Sequence, residues 1–192
     1  MISVPARRTP LVWKRHALLP LSALSIIPLI AVPLPKLLLW NASASVPEGL
    51  YVIDRTRRPT VGQLAVARLP DAARELAATR HYLPADVPLI KPVAARAGDT
   101  VCRQGLHVSI NGLPTASALD RDRFGRPLPT WSGCKALGPS DVFLMNPAVR
   151  DSFDGRYFGP IDRRRIDGRA LPVLTRTNPG AALHWHLFST TS

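Results

Sequence analysis

The chain has 192 residues, of which 46% are hydrophobic and 20% charged, and this composition excludes an intrinsically disordered protein. Twenty prolines argue against an all-helical bundle, and only two cysteines exclude a disulfide-dense mini-protein or a cysteine-rich zinc module. The net charge of +12 permits an anionic partner. The sequence has no recognition helix and no interleaving of basic and aromatic residues, so no nucleic-acid partner is expected.

The N-terminal 40 residues predict a membrane anchor. Residues 1–16 carry basic and no acidic side chains, and residues 17–35 carry no charge, a length that spans about 28 Å as a helix. The positive-inside rule then predicts a basic cytoplasmic tail (1–16), a single transmembrane helix (17–40) and a domain outside the cytoplasm (41–192). This places the chain in the inner membrane. A cleaved secretory signal, with a cleavage site at Ala42-Ser43-Ala44, is the alternative, and it also exports the domain.

After residue 40, short apolar runs alternate with turn residues, which is typical of a mostly β fold. Asn111-Gly112 lies between two such runs and predicts a type I′ hairpin, because both residues accept the positive φ of this turn. One short helix is predicted over residues 71–81, which are rich in alanine and lie between two prolines. Residues 117–137 are interpreted as a polar loop. Strands are predicted over residues 49–54, 63–68, 88–95, 100–101, 107–110, 142–145 and 170–174.

The two cysteines, Cys102 and Cys134, flank the polar loop. In an oxidising compartment they are expected to form a disulfide, which would close a loop of about 33 residues and stabilise the fold by roughly 3 to 4 kcal/mol. The alternative is a pair of buried thiols.

Three side chains suggest nucleophilic chemistry. Ser43 and Ser45 follow the anchor directly, a pattern that on its own is typical of a solvated tether. Lys91 lies within an apolar extended run, where burial would lower its pKa; a shift of about 3 units corresponds to about 4 kcal/mol. A neutral amine can accept the proton of a serine hydroxyl, as in a Ser-Lys pair. A lysine whose ammonium reaches water from an edge strand is the alternative.

Three segments together resemble a known family. Residues 43–47 (Ser-Ala-Ser-Val-Pro), 90–99 (with Ile-Lys-Pro-Val and Gly-Asp) and 151–159 (Asp-Ser-Phe-Asp-Gly-Arg-Tyr-Phe-Gly) occur in the order found in the type I signal peptidases. The details are most similar to the TraF-type conjugative-transfer peptidases, and the resemblance spans residue 42 to about residue 174. It implies a signal-peptidase-like β domain that rests an apolar surface on the membrane.

The resemblance implies a role for each matching residue. It makes Ser45 the nucleophile and Lys91 the general base. Ser43 would help the Ser45 N–H bind the oxyanion, a contribution that can be worth several kcal/mol. The remaining roles belong to the third segment, where Ser152 would orient the lysine, and Asp154 and Arg156 would fix the segment against the active site.

The chain departs from the family pattern at two places. Pro92 follows the lysine where many leader peptidases carry arginine, which suits an edge strand or a bulge. The stretch Gly-Asp-Asn-Arg-Asp common in leader peptidases is replaced here by residues 145–151, so the role of the missing acid is open.

The expected function is that of a membrane-anchored serine endopeptidase that cleaves signal-peptide-like or pilin precursors for conjugative transfer. The acyl-enzyme could be resolved by water, or by an amine of the substrate, which would cyclise the product. The sequence does not decide between these two routes. The expected partners are a precursor protein and membrane lipid. No cofactor or metal is expected, because His184 and His186 have no accompanying ligands at metal-binding spacing. The alternatives are a general leader peptidase, a non-catalytic membrane-tethered scaffold, and a basic protein that binds DNA or anionic lipid.

Overall fold

The computed structural model of the chain describes residues 37–186. Within this range the fold is mostly β, as predicted, but it has two α-helices where one was expected. A 3-10 turn, Arg163–Arg165, is also present. The elements in chain order are β1 (Leu38–Asn41), β2 (Glu48–Asp54), β3 (Leu64–Ala67), α1 (Asp71–Thr79), β4 (Leu89–Arg96), β5 (Thr100–Gln104), β6 (His107–Ile110), β7 (Leu113–Ser117), β8 (Gly133–Ala136), β9 (Asp141–Leu144), α2 (Gly155–Phe158), β10 (Ile161–Asp162), β11 (Ile166–Arg176) and β12 (His184–Trp185).

The strands form two antiparallel sheets. The larger has the order β1-β2-β11-β3-β4-β9-β10, with β12 added beside β11, and the smaller has the order β7-β6-β5-β8. The pairs β1–β2 and β3–β4 belong to the larger sheet and carry the two segments in which a nucleophile and a base were predicted. The sheet therefore joins segments that lie far apart in the sequence.

Alternation along β2 shows where the core lies. Its residues alternate between buried and half-buried positions, so one face of this strand packs inward. Tyr51 and Ile53 are on the inward face and belong to one core cluster with Val66 of β3 and Ile90 of β4. A separate cluster contains Val101 and Val108 of the smaller sheet and Phe143 of the larger, so the two sheets share apolar contacts. The second helix, α2, packs so closely that a Cβ at Gly155 would lie 2.6 Å from the Phe143 ring.

The predicted hairpin and first helix are present. Asn111 and Gly112 have φ angles of 51° and 79°, as a type I′ turn requires. The helix ends at Thr79, two residues before the predicted end. The loop predicted over residues 117–137 was partly wrong, because its last part forms β8 and pairs with β5. The four residues of β8 are all exposed, so they lack the alternation that marks a half-buried strand.

The predicted tail and most of the predicted anchor lie outside the described residues. The end of the apolar run is not helical: Leu38, Leu39 and Trp40 belong to β1, which pairs with β2. Extending the anchor to residue 40 was therefore wrong for these three residues, and the rest of that prediction stays a prediction. Among residues 37–186, no helix has the length and apolar character that crossing a membrane requires.

Cys102 and Cys134 are joined by a disulfide in the structure. They occupy directly opposed positions of β5 and β8 and are 32 positions apart in the sequence. The bond therefore ties the otherwise exposed β8 to the smaller sheet and closes the long connection between the two strands.

Removal of this disulfide is expected to destabilise the protein. The double variant Cys102→Ala/Cys134→Ala should lose about 3 kcal/mol of unfolding free energy, because its unfolded chain is no longer cross-linked. Urea unfolding at equal protein concentration measures this loss. The parent protein unfolded in reductant serves as the control and should approach the variant, and a loss below about 1 kcal/mol would contradict the expectation.

Candidate active site

The loop between β1 and β2 is held in shape by Asn41. Its amide nitrogen donates to the carbonyl oxygens of Ser43, Val46 and Pro47 at 2.8, 3.1 and 3.1 Å. Its side-chain oxygen accepts from the Ser43 N–H at 3.2 Å. Four hydrogen bonds from one side chain give this short loop a fixed course, and the loop presents Ser45 to the neighbouring strands.

Ser45 and Lys91 lie together. The Nζ atom of Lys91, on β4, is hydrogen-bonded to the Oγ atom of Ser45, and the two residues are 46 positions apart in the sequence. Lys91 is only 2% exposed and Ser45 only 9% exposed. The structure therefore brings the predicted nucleophile and base into direct contact in a site that is almost closed to water.

Burial lowers the pKa of Lys91 from 10.5 to about 8. The carboxylates of Asp154 and Asp151 oppose this effect, while the nearby guanidinium of Arg156 adds to it. At pH 7 about a tenth of the amine is then neutral, compared with well under a thousandth for an ordinary lysine. The site can thus supply a base close to physiological pH.

Ser43 contacts Ser45 in two ways. Its Oγ lies 2.6 Å from Ser45 Oγ and accepts a hydrogen bond from the Ser45 N–H at 3.4 Å. A hydroxyl and a backbone N–H therefore lie beside the Ser45 hydroxyl, and in this structure the N–H is bonded to Ser43. Groups of this kind can bind a developing oxyanion when they donate to it.

Asp154 and Arg156 form a buried ion pair at the start of α2. Their side chains are 0% and 1% exposed, and Arg156 donates to both carboxylate oxygens of Asp154 at 2.9 Å. The guanidinium also donates to five backbone carbonyls, those of Ser117, Asn146, Val149, Arg150 and Ser152. The pair thus links the carbonyls of the segment that leads from β9 to α2.

Ser152 lies beside Lys91 in the cleft, but its hydroxyl is not hydrogen-bonded to the lysine. It is 3% exposed and lines the same cleft as Ser45 and Lys91. Its Oγ has no hydrogen-bond partner among the residues that the structure describes. The expected hydrogen bond that would orient Lys91 is therefore not formed in this structure.

Two asparagines and one arginine of the site were not predicted from the sequence. Asn146 donates from its side chain to the carbonyl oxygen of Ser45 at 2.7 Å. Arg103, which is 2% exposed, is hydrogen-bonded to the carbonyl oxygen of Arg156. Asn146 and Arg103 bond backbone atoms of distant segments, and such contacts leave no spacing pattern in a sequence. Asn41 bonds backbone atoms of its own loop.

Pro92 follows the lysine within a central strand, not at an edge. β4 lies between β3 and β9, and the register between β4 and β9 shifts between Val93 and Ala95. Proline has no N–H to donate to the ladder. Pro92 precedes the register shift and is in regular register with Leu64 of β3, so the irregularity lies beside Pro92 and not at it.

A cleft of about 280 Å³ opens onto Ser45 and Lys91. Most of the other side chains that line it are apolar, among them Leu69, Leu83, Leu89, Leu119, Leu128, Val149 and Phe153. A second cavity of about 380 Å³ is lined mainly by arginine and aspartate side chains and contains neither Ser45 nor Lys91. The apolar cleft is therefore the place where a peptide could meet the Ser45 hydroxyl.

Comparison with known proteins gives one family and several relatives. Residues 13–174 match the family described as "Signal peptidase, peptidase S26". The chain is 36% identical over 146 residues to the "Plasmid transfer protein TraF" of Escherichia coli, which covers 74% of this chain and 78% of the relative. It is 38% identical over 146 residues to the "Probable conjugal transfer protein TraF" of Sinorhizobium fredii, which covers 70% of this chain and 76% of the relative. The solved signal peptidase I of Enterococcus faecalis is 13% identical with a TM-score of 0.35, over 59% of this chain and 97% of that one.

Proposed function

The chain belongs to the signal peptidase family, peptidase S26, and we propose that it is a serine endopeptidase that works with Ser45 and Lys91 and processes a precursor protein in conjugative transfer. The single observation that carries the proposal is the hydrogen bond between the buried amine of Lys91 and the hydroxyl of Ser45. A buried lysine paired with a serine has little value for stability, because burial of its charge is unfavourable. It has a clear value for proton transfer.

The proposed reaction follows from this pair. Neutral Lys91 takes the proton of the Ser45 hydroxyl as its oxygen attacks the scissile carbonyl. The negative charge that develops on the carbonyl oxygen is met by the Ser45 N–H and the Ser43 hydroxyl. Lys91, now protonated, gives its proton to the leaving amine, and an acyl-enzyme on Ser45 remains. Water, or an amine of the substrate, then attacks the ester, and its proton returns to Ser45 by way of Lys91.

The substrate class is proposed from the cleft and the relatives. The cleft next to Ser45 is small and mostly apolar, which suits short apolar side chains of an extended peptide. The relatives in Escherichia coli and Sinorhizobium fredii are named as plasmid or conjugal transfer proteins. We therefore propose a pilin precursor of a transfer apparatus as the substrate.

Mass spectrometry of a pilin precursor incubated with the detergent-solubilised full-length protein tests this function. The parent protein should release a defined fragment, and Ser45→Ala should release none. A product that is lighter than the linear fragment by one water would indicate that an amine of the substrate resolves the acyl-enzyme. Cleavage of a generic secretory precursor alone would favour a general leader peptidase, and no cleavage of either precursor would favour a non-catalytic scaffold.

The rate of precursor cleavage should rise with pH. Because Lys91 must be neutral to accept the proton and its pKa is about 8, kcat/KM should rise about tenfold per pH unit below 8 and level off above it. A pH series of initial rates between pH 6 and about 9.5 measures this rise. A flat profile over that range would contradict a lysine base.

We also propose that the domain lies outside the cytoplasm and touches the membrane, with the anchor in the inner membrane. The disulfide supports an oxidising compartment. One face of the larger sheet supports contact with lipid, because Trp40, Leu50, Leu174 and Trp185 lie side by side in register on adjacent strands. The two tryptophans are 52% and 71% exposed. A contiguous exposed apolar face of this kind marks a binding surface.

Tryptophan fluorescence tests the lipid contact. Full-length protein that keeps only Trp185 should be quenched in vesicles whose acyl chains are brominated. A matched variant that keeps only Trp131, whose indole N–H donates to the Gly155 carbonyl at 3.0 Å, should not be. Equal quenching of the two variants would contradict a lipid contact specific to this face.

A further inference from the structure

Asn146 connects the buried ion pair to the nucleophile. Its backbone N–H donates to Asp154 Oδ2 at 3.1 Å, and its carbonyl oxygen accepts from Arg156 at 3.3 Å. Its side-chain amide donates to the carbonyl oxygen of Ser45 at 2.7 Å, although the two residues are 101 positions apart. Both backbone polar groups of Asn146 are therefore held by the ion pair, and its side chain reaches the loop that carries the nucleophile.

The bond to the Ser45 carbonyl fixes the backbone from which the serine side chain extends. The carbonyl and the Cβ are attached to the same Cα, so a fixed carbonyl sets the position of the Cβ, and the contacts of the Oγ with Lys91 and Ser43 then set its direction. The other asparagine, Asn41, binds the carbonyls of Ser43, Val46 and Pro47 and shapes the loop as a whole. Among the residues that the structure describes, Asn146 is the one whose side chain donates to the Ser45 carbonyl.

We propose that Asn146 is a positioning residue, which transmits the rigidity of the Asp154–Arg156 pair to Ser45 and holds the hydroxyl in line with Lys91. The catalytic consequence of this inference rests on the proposed function. Misplacement of a reacting group by about 1 Å can cost about a hundredfold in rate. The effect should fall on kcat, because Asn146 contributes no side chain to the lining of the cleft.

Two variants separate the donated hydrogen bond from the rest of the residue. Asn146→Ala removes the amide, while Asn146→Asp keeps an oxygen that can accept from the Ala148 N–H, a bond of 3.1 Å here, but cannot donate to Ser45. Both should lower kcat about 10- to 100-fold with KM changed by less than about twofold. In Asn146→Ala the pH at half-maximal rate should stay that of the parent protein, because the surroundings of Lys91 keep their charge. Asn178→Ala, at an exposed asparagine in a turn, is the matched control and should behave as the parent protein.

Hydrogen–deuterium exchange of the full-length protein tests whether Asn146 holds the loop of Ser45. This measurement does not depend on cleavage activity. Backbone amides of residues 43–46 should exchange at least about tenfold faster in both Asn146 variants than in the parent protein. If the parent protein cleaves no precursor, the proposed function fails, and the exchange rates alone still decide whether Asn146 holds Ser45. Should Asn146→Ala not fold, Asn146→Asp carries both measurements. Parent-like exchange, or parent-like kcat in an active protein, would overturn the proposal.

Discussion

Replacement of Lys91 by methionine is expected to abolish cleavage and to stabilise the protein at the same time. Methionine keeps an unbranched apolar side chain and removes the amine, so the hydroxyl of Ser45 loses its base. We expect kcat/KM to fall by at least about 10³-fold, the range of a lost general base and an unactivated nucleophile. Initial rates on the pilin precursor, followed by mass spectrometry, measure the fall.

The same comparison should show that Ser45 and Lys91 act as one unit. Ser45→Ala alone, Lys91→Met alone and the double variant should all fall to the same residual rate, because either loss removes the same proton transfer. Additive losses would contradict this mechanism. They would indicate that each residue acts on its own.

The gain in stability follows from the cost of burying an amine. Lys91 has a pKa of about 8 in the folded protein and 10.5 as its ordinary value, so the unfolded chain binds the proton more tightly. Below pH 8 both states carry the proton and the folded state bears the full cost of about 3 kcal/mol. Between pH 8 and 10.5 the cost is relieved as the folded protein releases its proton, so the stability of the parent protein rises with pH.

Urea unfolding of the parent protein and Lys91→Met at two pH values tests this account. The variant should be more stable by about 3 kcal/mol at pH 7, and the difference should shrink towards pH 10. A variant that is less stable than the parent protein at pH 7 would indicate that the amine contributes net favourable bonds. The Lys91 amine would then stabilise the folded protein, and the account of a base that is buried at a cost in stability would be wrong.

The sequence predicted the burial of Lys91 from its neighbouring residues alone, whereas Ser45 was singled out by the resemblance to the family. A lysine within an apolar run indicates burial whatever the fold is, and Lys91 is indeed buried on β4. Turn chemistry likewise predicted the hairpin at Asn111, since the turn type depends on two adjacent residues. Structural features that depend on neighbouring residues in the sequence can therefore be predicted without knowledge of the tertiary fold.

The residues that were missed depend on contacts between distant segments. Asn146 has its role only because β9 ends beside the loop of Ser45, and nothing in the neighbouring sequence shows this. Arg103 lies on a short strand where an arginine predicts an exposed position, yet it is buried against the carbonyl of Arg156. The strand β1 was missed for a different reason, because its apolar residues continue the run that predicts the anchor. Pairing with β2, which decides its structure, is not a local property.

Replacement of Arg156 by alanine is expected to be the most destabilising single change in the site. The variant would leave the Asp154 carboxylate buried and without its cation, and it would leave five backbone carbonyls short of a donor. Removal of one partner of a buried ion pair costs about 3 to 5 kcal/mol, because the remaining charge is uncompensated. Arg156→Lys should recover only part of this, since an ammonium cannot reproduce the planar fork that meets both carboxylate oxygens.

The chain contains its own control for this prediction. Asp162 and Arg164 repeat the spacing of Asp154 and Arg156, and in both pairs the aspartate accepts from the backbone N–H of the arginine. The side chain of Arg164, however, is 87% exposed, whereas that of Arg156 is 1% exposed. Arg164→Ala should therefore unfold at a urea concentration close to that of the parent protein, because exposed ion pairs contribute little. Similar midpoints for the two alanine variants would mean that burial does not govern the strength of the pair, and the account of a rigid frame behind Ser45 would fail with it.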